Sequence, residues 1–97
     1  MYALAIIRYR KPIEEVLDHY EAHRAYLQRL KAEGVLVASG PLEPRFGGAL
    51  LLRLPDTNVQ QAMDLVRDHD PYWQAGVAQY ELLAWNVKTG RADLDKA

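Results

Sequence analysis

Two extended segments of this sequence are apolar at nearly every position, and this property limits the possible folds most strongly. Residues 2–7 are all aliphatic or aromatic, and residues 82–87 contain one polar side chain, Asn86. Strands with one face in water alternate apolar with polar side chains, so these segments indicate strands buried on both faces. A chain of 97 residues holds only one core. We therefore expect a second copy to cover the outer sheet face, as a homodimer or an assembly of dimers.

Hydrophobic spacing and chain-breaking residues predict four strands and two helices. The strands are expected at residues 2–9, 35–38, 49–54 and 80–87, and the helices at residues 12–33 and 57–68. Gly40-Pro41 is expected to end the second strand, and residues 42–48 to connect it to the third. A capping box of Thr57 and Gln60 is expected to begin the second helix.

The element order β-α-β-β-α-β predicts an α+β, ferredoxin-like fold with both helices on one sheet face. Residues 1–97 are expected to form a single domain, in which residues 89–97 are a polar, frayed tail. Asp70-Pro71 is expected to stop the second helix, because the residue before proline is pushed away from helical angles.

Charge and composition exclude several classes of function. Twelve basic and thirteen acidic residues give a net charge of −1, which provides no basic patch for nucleic acid. The apolar runs are too short to span a bilayer, and no signal-peptide pattern is present. Without cysteine there is no disulfide, thiolate zinc site or cysteine nucleophile. We expect a cytoplasmic protein that binds neither nucleic acid nor membrane.

His23 is the first candidate for chemistry. It lies within the apolar stripe of the first helix, three residues after Tyr20 and four before Leu27, so its imidazole is aimed at the sheet. A buried histidine that only fills space fits the pattern equally well. His19 forms an i, i+4 pair with it, but the H-E-x-x-H spacing and a third ligand are missing. We predict no metal and no cofactor.

Asp70 is the candidate partner of His23. An aspartate before proline commonly serves turn chemistry, but it can also accept a hydrogen bond from an imidazole and fix its tautomer. The residues predicted to line a substrate pocket are Ser39, Gly40, Pro41, Tyr72 and Trp73. Packing is the commoner role of such aromatics, and Ser39 lacks the context of a nucleophile.

The combined spacings of these residues match a known pattern. His23 is followed by Leu27, Leu30 and Gly34 at +4, +7 and +11, by Gly40-Pro41 from +17, and later by Asp70-Pro71-Tyr72 and Gly76-Val77. From the first strand to about Val87, the chain resembles the YCII-related family of small bacterial proteins.

The resemblance implies a ferredoxin-like fold that dimerises through its sheets, the dimeric α/β barrel shared with muconolactone isomerases and small cofactor-free monooxygenases. It also implies a His–Asp active site, here His23 and Asp70. One branch of the family resembles enzymes that dehalogenate a chlorinated hydroxyhydroquinone. Family members often have arginine-proline shortly before the histidine, where this chain has residues 20–22, Tyr-Glu-Ala. An anionic substrate would therefore need another group, such as Arg24 or Arg8.

Three functions are compatible with these residues. The leading one is a small cofactor-independent enzyme in which His23 is the general acid and base and Asp70 orients it. Its reaction would be an isomerisation or elimination on a small cyclic or aromatic molecule. The alternatives are a non-catalytic, ligand-binding or regulatory dimer, and a structural dimer in which the pair only stabilises the fold.

Overall fold

Four antiparallel strands form one sheet that carries the helices. The computed structural model describes residues 1–97. Its elements are β1 (Tyr2–Tyr9), α1 (Ile13–Leu17), α2 (Tyr20–Ala32), β2 (Leu36–Pro41), β3 (Gly47–Arg53), α3 (Val59–Asp68), α4 (Pro71–Gln74), β4 (Ala78–Trp85) and α5 (Arg91–Asp95). The strand order is β2-β3-β1-β4, and all neighbouring pairs are antiparallel. The predicted α+β, ferredoxin-like arrangement is confirmed.

The core lies between the helices and one face of the sheet. Alternate residues of the two central strands point into it, and each exposes 2 % or less of its surface: Ala3, Ala5, Ile7, Leu50 and Leu52. The helices contribute their apolar stripes, among them Val16, Tyr26, Leu30, Met63 and Val66. Removal of these side chains from water is the main force that holds the helices to the sheet.

The opposite face of the sheet is apolar and only partly covered. Leu4 of β1 lies opposite Leu83 of β4 in the register, and both alternate with core positions. Leu83 and Trp85 each leave 43 % of their surface exposed. We call this face, with Leu4, Ile6, Ala49, Leu51, Leu83 and Trp85, the outer face. A single chain therefore buries the face of the sheet that carries the helices, but it leaves the outer face partly exposed to solvent.

The first helix differs from its prediction at residues 12–33, because it is divided at Asp18 and His19. The His19 amide donates to the Val16 carbonyl three residues back, at 3.0 Å, which tightens the last turn of α1. The His19 carbonyl then accepts from the His23 amide, and α2 continues from there. The helix that carries His23, α2, is thus a separate element from α1.

The second helix begins at Val59, and the predicted capping box is absent. Asn58 precedes it with a φ of 56° and no capping side-chain bond. Asparagine tolerates this left-handed conformation better than most residues. Gln60 Nε2 instead donates to Asp64 one turn later, at 2.9 Å.

Both strands of the β2–β3 pair are longer than predicted. Gly40 and Pro41 do not follow β2 but are its last two residues, and they pair with Ala49 and Gly48 of β3. Gly47 also belongs to β3 and not to the connection. Proline is tolerated here because β2 lies at the sheet edge, where no further strand needs its missing amide hydrogen.

The C-terminal segment is more structured than the prediction of a frayed tail at residues 89–97. It contains α5, and the Arg53 guanidinium donates to the carbonyls of Leu94 at 2.7 Å and Ala97 at 3.2 Å. The Tyr2 hydroxyl donates to Asp95.

None of the helices is long and apolar enough to cross a membrane.

Candidate active site

His23 and Asp70 meet between α2 and the junction of α3 with α4. His23 Nδ1 lies 2.8 Å from Asp70 Oδ1. Asp70 is fully buried and His23 exposes 8 % of its surface. The Asp70-Pro71 pair ends α3, as predicted, but it also begins α4, with Asp70 as the N-cap and Pro71 in the first turn.

Three donors occupy the Asp70 carboxylate. Oδ1 accepts from His23 Nδ1 and from the Tyr72 amide at 2.9 Å, and Oδ2 accepts from the Tyr80 hydroxyl. Burial, together with the adjacent Asp70 charge, raises the pKa of Tyr80, so its phenol stays protonated and donates. These bonds compensate the carboxylate for its loss of water. They also place the imidazole hydrogen on Nδ1, which fixes the tautomer.

The second imidazole nitrogen, Nε2, is open. It makes no hydrogen bond within the protein, yet no buried polar side-chain atom lacks a partner. Nε2 must therefore be accessible from solvent. His23 lines a cavity of about 380 Å³ between α2 and the β2–β3 edge of the sheet. His23 thus combines a solvent-accessible Nε2 with a place in the wall of a cavity.

Tyr72 fixes the plane of the imidazole. Its ring stacks on His23 with centroids 3.8 Å apart and planes 6° apart. The Tyr9 ring packs edge-on against the Tyr72 ring, with centroids 6.2 Å apart. Burial raises the pKa of Tyr72 to about 12, so this ring is neutral near pH 7. The imidazole is thus held in plane by Tyr72 and in rotation by Asp70.

Four of the five residues predicted to bind substrate line the same cavity as His23, namely Ser39, Gly40, Pro41 and Tyr72. Trp73 does not. It packs edge-on against Tyr80, with centroids 6.4 Å apart, and beneath the Arg67 guanidinium, 4.8 Å from the ring centroid. Successive residues of the short helix α4 point in different directions, which separates Trp73 from Tyr72.

Two residues of the site, Tyr80 and Arg45, were not predicted from the sequence. Tyr80 belongs to a predicted strand, and the period-2 alternation of β4 is the signal that could have placed it on the helix side. Arg45 also lines the cavity, but it comes from the loop between β2 and β3, where no periodicity points to its direction. No three histidine, aspartate or glutamate side chains come together as a metal site.

The fold and site define a class of small α+β proteins in which a ferredoxin-like sheet supports a buried histidine–aspartate pair beside a cavity. This chain belongs to the YCII-related domain family, whose model matches residues 1–86. A comparison with curated proteins finds no match.

A solved structure with a similar fold is 5-chloro-2-hydroxyhydroquinone dehydrochlorinase from Burkholderia phenoliruptrix, in complex with 2,5-dihydroxybenzoquinone. The two chains share 23% sequence identity and a TM-score of 0.71, and the alignment covers 91% of this chain and 96% of that chain. At this identity the likeness establishes the common fold.

Proposed function

We propose that this protein is a small cofactor-independent enzyme that transfers a proton to or from a small cyclic or aromatic molecule. The observation that carries the proposal is the asymmetry of His23: Nδ1 is bound to a buried carboxylate, whereas Nε2 has no partner in the protein and the residue lines a cavity. A histidine that only fills space needs neither an open nitrogen nor a cavity beside it.

His23 Nε2 acts as the general base. It accepts a proton from the substrate, and the imidazolium that results is stabilised by Asp70, which already accepts the Nδ1 hydrogen bond. In an elimination from a hydroxylated, halogenated ring, Nε2 first relays a hydroxyl proton to the ring carbon that bears the halogen, which gives the keto tautomer. It then removes a second hydroxyl proton; the O–H pair becomes a C=O bond, the displaced ring pair forms a new C=C bond, and the halide leaves with its own bonding pair. The proton then passes from Nε2 to water. In an isomerisation, Nε2 returns the proton to a different carbon.

The cavity and the structural neighbour support a ring-shaped substrate. A volume of about 380 Å³ lies at the lower end of the range for small-molecule sites and accommodates a single six-membered ring with substituents. The neighbour is named for the dehydrochlorination of a hydroxyhydroquinone, and its structure contains a dihydroxybenzoquinone. We therefore propose a hydroxylated, halogenated ring as the first substrate to test.

Replacement of His23 with glutamine is expected to slow chloride release from 5-chloro-2-hydroxyhydroquinone by about 10²–10⁴-fold, the typical contribution of a general base. Chloride release is measured with purified protein, and circular dichroism verifies that the variant is folded. The matched control is His69→Gln, because His69 is exposed and its Nδ1 lies 2.8 Å from the Leu65 carbonyl, away from the cavity.

Full turnover by His23→Gln would contradict the proposal. So would the absence of turnover for a panel of halogenated and hydroxylated rings that nevertheless raise the melting temperature of the protein. The second result would identify a ligand-binding module instead of an enzyme, since a ligand that binds only the folded state stabilises it without reaction.

We also propose that two copies pack through the outer face. Its apolar side chains are continuous across β3, β1 and β4, and a single chain leaves Leu83 and Trp85 43 % exposed. Covering such a surface with an identical one removes apolar area from water in both copies.

Leu83→Glu is expected to convert the dimer to a folded monomer, because the charge enters the outer face and not the core. Sedimentation velocity at micromolar concentration measures the change. Leu65→Glu is the matched control: Leu65 is 51 % exposed, but it lies on α3, on the other side of the sheet. A wild-type monomer, or a Leu83→Glu dimer, would show that the outer face is not the interface.

A further inference from the structure

The cavity beside His23 is lined by positively charged side chains and by no carboxylate. Arg24, Lys31 and Arg45 line it, and none of them takes part in a salt bridge. No aspartate or glutamate lines the cavity, although the chain contains 13 acidic and 12 basic residues. Asp70 is outside the lining, fully buried behind His23. The local charge is therefore opposite to the small net charge of the chain.

The three cations approach the cavity from two sides. Arg24 and Lys31 lie on α2 at i and i+7, together with Gln28 at i+4, so they share one face of the helix. Arg45 comes from the loop between β2 and β3. Lys31 is eight residues beyond His23, about 12 Å along the helix axis, which is too far to hold a small ring against the imidazole.

Arg45 is connected to the imidazole through two aromatic rings. Its guanidinium lies beside the Tyr9 hydroxyl, and this contact raises the pKa of Arg45. The Tyr9 ring meets Tyr72 edge-on at 6.2 Å, and Tyr72 stacks on His23. Arg45 and His23 therefore line the same cavity, at opposite ends of this row of rings.

We propose that the substrate is a planar ring with a negatively charged oxygen substituent, and that Arg45 binds this substituent while His23 acts on the ring. The proposal rests on the proposed function, because it concerns the same cavity. Apolar lining residues, including Ile7, Leu27 and Leu50, suit the ring. The planar guanidinium suits anionic oxygen atoms, which it binds with two parallel hydrogen bonds. Arg24 and Lys31 attract anions to the cavity mouth.

The test compares ring ligands with and without a negatively charged oxygen substituent. Benzoate is paired with benzamide, and 4-nitrophenolate with nitrobenzene, which distinguishes a carboxylate from a phenolate-type oxygen. Affinities are measured by NMR titration of the wild-type protein. The anion of at least one pair is expected to bind about tenfold more tightly than its neutral partner, with a preference that decreases as salt is added.

Arg45→Gln is expected to weaken binding of the preferred anion about tenfold and to leave the affinity for its neutral partner unchanged. Arg91→Gln is the matched control, because Arg91 lies in α5 and does not line the cavity. Equal affinities within both pairs, or no binding by any probe, would overturn the inference. A preference that survives Arg45→Gln and disappears in Arg24→Gln would overturn the role of Arg45. Chloride release by the same protein reports separately on the proposed function.

Discussion

Asp70→Ala is expected to lower the free energy of unfolding by about 3–5 kcal/mol, because each buried donor left without an acceptor costs about 1–3 kcal/mol. Asp70 is fully buried and accepts hydrogen bonds from His23, Tyr72 and Tyr80. Alanine leaves three buried donors without an acceptor and removes the N-cap of α4. Since a domain of this kind has a total stability of about 5–15 kcal/mol, urea unfolding followed by circular dichroism will detect the loss readily.

Two further variants separate the contributions of charge and shape. Asp68→Ala removes an exposed aspartate that pairs with Arg67 at 2.9 Å, and it is expected to change stability by less than about 1 kcal/mol. Asp70→Asn preserves the shape and one acceptor, so it is expected to remain folded. Its amide oxygen keeps the Oδ1 position, where two N–H groups donate, and its nitrogen faces the Tyr80 hydroxyl, which can accept. Loss of turnover by a folded Asp70→Asn protein would follow from the loss of the negative charge that stabilises the imidazolium. Wild-type stability of Asp70→Ala would show that the buried contacts contribute nothing.

Periodicity along the chain could predict that His23 faces the sheet, but it could not predict its partner. A helical stripe is a local property, and the apolar neighbours of His23 define its direction. Asp70 lies 47 residues away and reaches the imidazole only because α2, α3 and α4 pack on one sheet. The four residues of α4 are too few to show a helical period. Asp70-Pro71 was therefore interpreted only as the end of α3, although it is also the start of α4.

The strands were predicted in number and order, but not in which face each turns to the core, because residues 2–7 and 82–87 are apolar at nearly every position. β4 runs from Ala78 to Trp85, two residues before the predicted range 80–87. Tyr80 lies on the helix side of β4, where its hydroxyl donates to Asp70. Gly40 and Pro41 were predicted to break β2 because both residues are typical of turns. Whether a strand lies at an edge is decided by the whole sheet, which the local sequence does not encode.

Gly47→Ala is expected to destabilise the protein by about 4 kcal/mol or more, which is exceptional for a single substitution. A Cβ atom at Gly47 would lie 1.7 Å from the Ile7 carbonyl oxygen and 2.8 Å from the Ile7 carbonyl carbon. Both are backbone atoms of β1, which is paired on its two sides with β3 and β4. β1 cannot move away without breaking one of these pairings. Thermal unfolding should show a decrease of roughly 16–32 °C in Tm.

Gly40→Ala is the matched control, because a Cβ atom at Gly40 on the adjacent strand meets nothing within 4 Å. An unchanged Tm for Gly47→Ala would contradict the close approach of β3 to β1.

The same substitution is expected to affect the cavity, because Gly47 lies next to the loop that carries Arg45. The Leu42 amide donates to the Gly47 carbonyl, and the Tyr9 amide donates to the Phe46 carbonyl, both at 2.9 Å. These two bonds hold the loop that carries Arg45 against β1. Any Gly47→Ala protein that still folds is therefore expected to lose the preference for anionic rings, since Arg45 would be displaced from Tyr9 and from the imidazole beyond it.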